Sequence, residues 1–246
     1  MTDLSFSAEL PAKMSSPRGL FVTGTDTNVG KTHVAAMIIR ALRQAGHRVG
    51  AYKPACSGAI TDAADPRWED IERLRFALGT DAPDDLICPQ RFLAPLAPPM
   101  AARAEGRQVD FDLLVQGAER WQPHADHLIV EGAGGLLAPV AEAKTVADLA
   151  VAIGYPLIIV SRCGLGTINH TLLTVEAARH RGLSVAGIVL NQSRPEDDYT
   201  LAESNATAIA AHGQVSILGI VAWGASDGLQ RHGHAVTIPW SDLARN

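Results

Sequence analysis

Apolar residues in this chain come in short continuous runs, separated by glycine-rich loops and by stretches with helical periodicity. The first run, residues 19–23, has the length of a buried strand. A loop to Gly30 follows. From Lys31 to Gln44 the apolar positions Val34, Met37, Ile38, Ala41 and Leu42 fall on one helical face, with Gly46 as the stop. Residues 48–52 read as a second strand. The order then recurs. A strand at 127–130 ends in Glu131-Gly-Ala-Gly-Gly135, and a strand at 156–160 ends in the turn Gly164-Leu-Gly166. A helix runs from near Thr167 to about His180, a strand at 185–190 stops at Asn191, a helix covers 199–211, and 217–221 is the last main strand. Residues 68–78 read as a helix. Residues 83–99 contain five prolines and read largely as loop.

Strands that are apolar throughout fit a sheet covered on both faces. The β–loop–α–β order implies parallel pairing with right-handed crossovers. The expectation is a single α/β domain at 19–246, with a mostly parallel, doubly wound sheet, behind a loose polar leader at 1–18. Ligands in such folds lie at the carboxyl ends of the strands. Residues 25–32, 53–57, 131–135, 164–169 and Asn191 all fall there.

Composition narrows the field. With 246 residues, 47% apolar and 19% charged, the chain supports a substantial core and is not a disordered sequence. A net charge of −5 argues against nucleic acid or an anionic membrane as the main partner. The three cysteines, Cys56, Cys88 and Cys163, have neither metal-ligand spacing nor a disulfide pattern, and packing is the role expected of them. The most apolar stretch, 149–160, is interrupted by Gly154 and Pro156 and falls short of the ~20 residues a membrane helix needs. The start has no apolar run of the secretory type. The expected location is the cytoplasm.

The strongest chemical signal is Gly24-Thr-Asp-Thr-Asn-Val-Gly-Lys-Thr32, between a strand and a helix. Backbone N–H groups around Gly30 face an anion there, and the helix dipole favours it. Lys31 suits the β- and γ-phosphate oxygens, and the Thr32 hydroxyl suits magnesium. Five residues separate the two glycines where the usual pattern has four, so Thr25 occupies the first glycine position. The fold expected is therefore of the phosphate-loop nucleoside triphosphate hydrolase type. A magnesium nucleotide also needs carboxylates. Glu131, at the end of an apolar strand, faces the loop on this reading, the alternative being a solvated loop glutamate. In 68–74 Asp70 competes with Glu69 and Glu72, and a solvated helix face is the default for such a run. Lys53 ends the second strand at the same edge, where a cation can neutralise a transferring phosphoryl group; the alternative is an exposed strand-end lysine.

Together with Tyr52-Lys-Pro54, Ser57-Gly58, Glu131-Gly-Ala-Gly-Gly135, Gly166-Thr-Ile-Asn-His170 and Ala186-Gly-Ile-Val-Leu-Asn191, this loop resembles the dethiobiotin synthetase family, in order from about residue 19 to 224. The resemblance implies closure of a ureido ring from 7,8-diaminononanoate, CO2 and ATP with Mg²⁺, through a carbamate and a carbamic–phosphoric anhydride. It implies that Lys31 and Lys53 act on the transferred phosphoryl and the carbamate. Thr32, Asp70 and Glu131 would hold the metal. The nucleotide would lie along Asn28, Val29, Gly30, Lys31, Thr32, Asp70, Glu131, Gly132, Ala133, Gly134 and Asn191, the last reading the adenine edge. Thr27 and Ser57 would line the diamine site. Gly166, Thr167 and Asn169 would bind the substrate carboxylate near the interface of a homodimer. The chain departs from the family's pattern at Asn28, where glutamate is common, at Pro95-Leu-Ala-Pro-Pro-Met100, which lacks a serine and a histidine, and at Ala222-Trp223-Gly224, which replaces a Pro-Trp-Leu type segment.

Two other classes share such a loop. A cobyrinic acid amide synthetase-like ligase normally needs a glutamine-handling domain, for which 246 residues leave little room. A partitioning-ATPase switch uses a second lysine near the start of the loop, and Thr23-Gly-Thr-Asp26 has none.

Overall fold

The structure is a computed structural model that describes residues 18–62, 65–195 and 199–244. In chain order its elements are β1 (Arg18–Gly24), α1 (Lys31–Gln44), β2 (Val49–Tyr52), β3 (Ala55–Ser57), α2 (Glu69–Leu78), α3 (Asp84–Ile87), β4 (Gln90–Phe92), α4 (Pro98–Ala104) and α5 (Phe111–Glu119). Then come β5 (His127–Gly135), β6 (Pro139–Ala141), β7 (Lys144–Thr145), α6 (Val146–Ile153), β8 (Leu157–Arg162), α7 (Thr167–His180), β9 (Val185–Asn191), α8 (Tyr199–Gly213), β10 (Ile217–Val221), β11 (Leu229–Arg231), β12 (His234–Val236) and α9 (Trp240–Leu243). The expected leader lies outside the described residues except for Arg18, which pairs with His127 and already belongs to β1.

One sheet of eight strands, ordered β12-β11-β10-β9-β8-β1-β5-β2, runs through the molecule. It is parallel from β10 to β2, and β11 and β12 extend it antiparallel, so 217–221 is not the last strand of the sheet. The chain leaves the central strand β1 in both directions, toward β5 and β2 on one side and β8 on the other. That reversal leaves a crevice at the strands' carboxyl ends, where phosphate-bearing ligands sit in this architecture.

The apolar runs are buried as expected: β1 is covered from Gly19 to Gly24, and β8 from Leu157 to Ser161. Helix α1 buries Ala35, Ala36 and Ile39 as well as Val34, Met37, Ile38 and Leu42. It is covered beyond the expected face because it lies against β1, β2 and β5 and also against α2 and α9. Residues 83–99 are not mainly loop. They hold α3, β4 and the start of α4, because Pro83 and Pro98 stand at helix N-termini, where a missing N–H removes no helical hydrogen bond. Among the described residues no helix is long and apolar enough to cross a membrane.

At the amino end of β5, away from the crevice, His127 is 5% exposed and packs its ring on His47 at 4.5 Å between centroids. Neither ring nitrogen has a hydrogen-bond partner. Burial, then His47 and Arg18, lower its pKa against the opposing pull of Asp126. The folded chain therefore binds this proton less readily than the unfolded one, and stability falls as pH drops below the unfolded value of about 6.5. Melting temperatures followed from pH 7.5 to 5.5 decline less steeply in His127→Leu than in the unaltered chain; parallel curves refute the assignment.

Candidate active site

The loop between β1 and α1 is bent by two residues in the left-handed region, Asn28 (φ 55°) and Gly30 (φ 96°). Asp26 ties its first half: one carboxylate oxygen accepts the Thr27 N–H at 2.7 Å and the other meets Arg162 of β8 at 2.9 Å. Asn191, at the end of β9, donates its amide to the Val29 carbonyl at 3.0 Å, which ties the second half. Gly30 sits so close to that amide that a Cβ there would lie 2.1 Å from Asn191 Nδ2.

Lys31 opens α1 and is almost buried, with its ammonium folded onto the Asp26 carbonyl at 2.9 Å. Burial, then the neighbouring Lys53 charge, push its pKa down to about 8. The free loop thus holds a cation that lacks a matching anion. Beside it, the Thr32 hydroxyl lies 2.8 Å from Asp70 Oδ1 and 2.8 Å from Glu131 Oε1. Lys53 Nζ lies 2.6 Å from Glu131 Oε1 and 2.9 Å from Asp70 Oδ2. Strand pairing explains the convergence. Glu131 sits opposite Val22 of β1, two residues before the loop, and β2 delivers Lys53 from the other side of β5. The strand expected at 127–130 runs longer than its apolar residues: β5 continues through Glu131 to Gly135.

Lys53 is 4% exposed and Glu131 is 1% exposed, so neither is a solvated side chain. Burial acts to lower the Lys53 pKa, but the Glu131 and Asp70 carboxylates outweigh it and keep the ammonium charged. The Lys53 charge, against the opposing effect of burial, holds Asp70 down at about 2. Burial drives the Glu131 carboxyl up, against Lys53. Glu131 Oε2 is buried with no hydrogen-bond partner. Among the acids of α2, Asp70 alone reaches this cluster; Glu69 pairs with Arg73 and Glu72 with Arg67.

These residues line a cavity of about 700 Å³. Thr27, Asn28, Gly30, Lys31, Thr32, Lys53, Ser57, Asp70, Glu131, Ala133, Gly134 and Asn191 all line it. Val29 is buried behind it and offers its carbonyl to Asn191, and the Gly132 carbonyl faces Lys53 at 3.5 Å. The Ser57 hydroxyl donates to the Leu96 carbonyl at 2.6 Å. Gly166, Thr167 and Asn169 do not line this cavity in the single chain. The Thr167 hydroxyl is buried against Ser161 at 2.5 Å, and Gly166 and Asn169 are exposed. The sequence alone gives no role to His33, Arg73, Ala225 and Ser226, which also line the cavity; Ala222, Trp223 and Gly224, which replace the family's Pro-Trp-Leu type segment near the nucleotide, line it beside them. Arg73 was findable: it lies three residues after Asp70, one turn along the same helix face. The Cys56 thiol lines the cavity too, but burial pushes its pKa up to about 12, which leaves it inert.

The cluster can bind a polyphosphate at a helix N-terminus and surround its terminal group with two lysines and two carboxylates. Comparison with known proteins narrows the chemistry. A family model described as AAA domain (AAA_26) matches residues 18–226. An ATP-dependent dethiobiotin synthetase of Anaeromyxobacter dehalogenans is 51% identical over 206 residues, 84% of this chain and 90% of that protein. One from Caulobacter vibrioides is 41% identical over 203 residues, 79% of this chain and 92% of that protein. Among solved structures, the MinC:MinD cell division complex of Aquifex aeolicus has a TM-score of 0.51 at 16% identity, covering 83% of this chain and 81% of that one, a likeness of fold alone. With half of the 206 aligned residues identical over 90% of a named relative, and with the phosphate loop, second lysine and paired carboxylates in place, the chain belongs to the ATP-dependent dethiobiotin synthetase family, a family of ligases.

Proposed function

We propose that this chain converts 7,8-diaminononanoate, CO2 and ATP to dethiobiotin, ADP and phosphate. One amine adds to CO2 and loses a proton, giving a carbamate. A carbamate oxygen attacks the γ-phosphorus and ADP leaves. The second amine attacks the carbamoyl carbon of the resulting anhydride, loses its proton and expels phosphate, which closes the ring. Positioning and charge neutralisation supply most of the catalysis in phosphoryl transfer. Lys31 grips the β- and γ-phosphates, and Lys53 meets the charge shared by the carbamate and the γ-phosphoryl group. Asn191 reads the adenine edge, and Thr27 and Ser57 flank the diamine.

The residues fit Mg²⁺. Glu131 has an unpartnered buried oxygen, and the single Thr32 proton faces two carboxylates, so acceptor capacity is left over. Among the described residues no cluster of three or more His, Cys, Asp or Glu side chains suits a metal, so Thr32, Asp70 and Glu131 would share it with phosphate oxygens and water. When bound, it would withdraw charge from the terminal phosphate.

A homodimer acting in the cytoplasm belongs to the same proposal. Leu165, Leu173 and Leu137 are 92%, 60% and 52% exposed around the start of α7, an apolar surface that suits a second copy beside Gly166, Thr167 and Asn169.

The observation that carries this reading is the meeting of Lys31, Thr32, Lys53, Asp70 and Glu131 at one wall of the cavity. The test is phosphate release with and without diaminononanoate plus bicarbonate, followed by product mass. One phosphate per ureido ring, dependent on the diamine, is the expected result. Release independent of the diamine, with no ureido product, identifies a nucleotide switch instead.

A further inference from the structure

Between β10 and β11 the chain runs from Ala222 to Asp227 without regular structure. Ala222, Trp223, Gly224, Ala225 and Ser226 form one wall of the large cavity. This wall is fastened at both ends. At the near end the Gln192 side-chain carbonyl accepts the Trp223 N–H at 2.9 Å. At the far end Arg40 of α1 donates through Nε to Asp227 Oδ1 at 2.7 Å and through Nη2 to the Ser226 carbonyl at 2.5 Å. His33, seven residues earlier and so on the same face of α1, contacts the Ala225 backbone.

Arg40 itself does not line the cavity. We infer that Arg40 is a positioning residue for the nucleotide. It latches the 222–227 segment to the helix whose first turn faces the phosphates, so the two sides of the cavity keep a fixed spacing. The inference rests on the reading of this cavity as the ATP site. Arg40 and Asp227 are 23% and 48% exposed in their side chains, and a pair so exposed contributes little to global stability. Its effect is local. When the latch is cut, the segment spends part of its time away from α1, and apparent nucleotide affinity falls with the closed fraction.

Arg40→Ala therefore raises the ATP KM and the ADP Kd about five- to tenfold, as a closed fraction of about one fifth to one tenth requires. The kcat stays within about twofold and the KM for the diamine does not move, because Lys31, Lys53 and Ser57 are untouched. Arg40→Lys falls between the two, since one ammonium cannot reproduce the guanidinium's paired donors. Melting temperature without nucleotide stays close to that of the unaltered chain. An ADP Kd unchanged in Arg40→Ala overturns the latch. So does a loss of melting temperature with kcat falling in parallel, which marks a merely structural arginine. If the unaltered chain binds no nucleotide, the ATP-site reading fails with it; if the unaltered chain binds and Arg40→Ala binds equally, only the latch fails.

Discussion

Lys53→Gln lowers turnover by about 10²-fold or more while ATP still binds. The ammonium is placed where charge develops as the phosphoryl group moves, and interactions of that kind act on the rate more than on affinity. The substitution also disturbs the resting protein, because it strips a buried carboxylate, Glu131, of its partner at 2.6 Å. Breaking such a pair costs about 3–5 kcal/mol. Turnover and thermal stability are thus both expected to fall, and a second variant separates them. In Lys53→Gln combined with Glu131→Gln neither buried charge remains, so melting temperature recovers most of its loss while turnover stays low. Equal losses of ATP affinity and rate in Lys53→Gln, or activity restored with stability in the double variant, contradict the catalytic role.

Gly30→Ala removes nucleotide-dependent thermal stabilisation. Two independent penalties meet at this position. A φ of 96° is strained for any residue with a Cβ, at roughly 1–2 kcal/mol. The new Cβ also collides with the Asn191 amide, which must then release the Val29 carbonyl. The loop loses its curvature and its tie to β9 together. At 100 times its Kd a ligand stabilises a folded chain by about 2.7 kcal/mol, readily seen as a shift in melting temperature. That shift is expected to vanish in Gly30→Ala and to return only in part when Asn191→Ala relieves the collision, since the backbone strain remains. A full shift in the single variant refutes this account of the loop.

Much of the fold was legible because it is locally encoded. The helix over 31–44 and the strands flanking it follow from periodicity and from Gly46, whose left-handed backbone ends the helix as expected. Helix α6 is also encoded, by the capping pair Thr145 and Asp148 ahead of an apolar run whose hydropathy alone does not distinguish helix from strand. The site was legible residue by residue but not as a constellation. Local pattern could not choose Asp70 over Glu69 and Glu72. The choice is made by Lys53 and Thr32, which reach Asp70 from β2 and α1 only after the sheet has assembled. The same holds for Arg40 and Asp227, 187 residues apart in the chain. Strand order, and with it the neighbours of each loop, depends on pairings between segments about a hundred residues apart, which hydrophobic periodicity does not record.

The depressed pKa of Lys31 has a thermodynamic corollary. As pH rises toward the alkaline side, a growing share of the free chains carries this side chain as a neutral amine. A polyanion settling against it restores the cation, so complex formation takes up a fraction of a proton from the medium. The heat released on titration then depends on the ionisation enthalpy of the buffer, and affinity weakens as the solution becomes more alkaline.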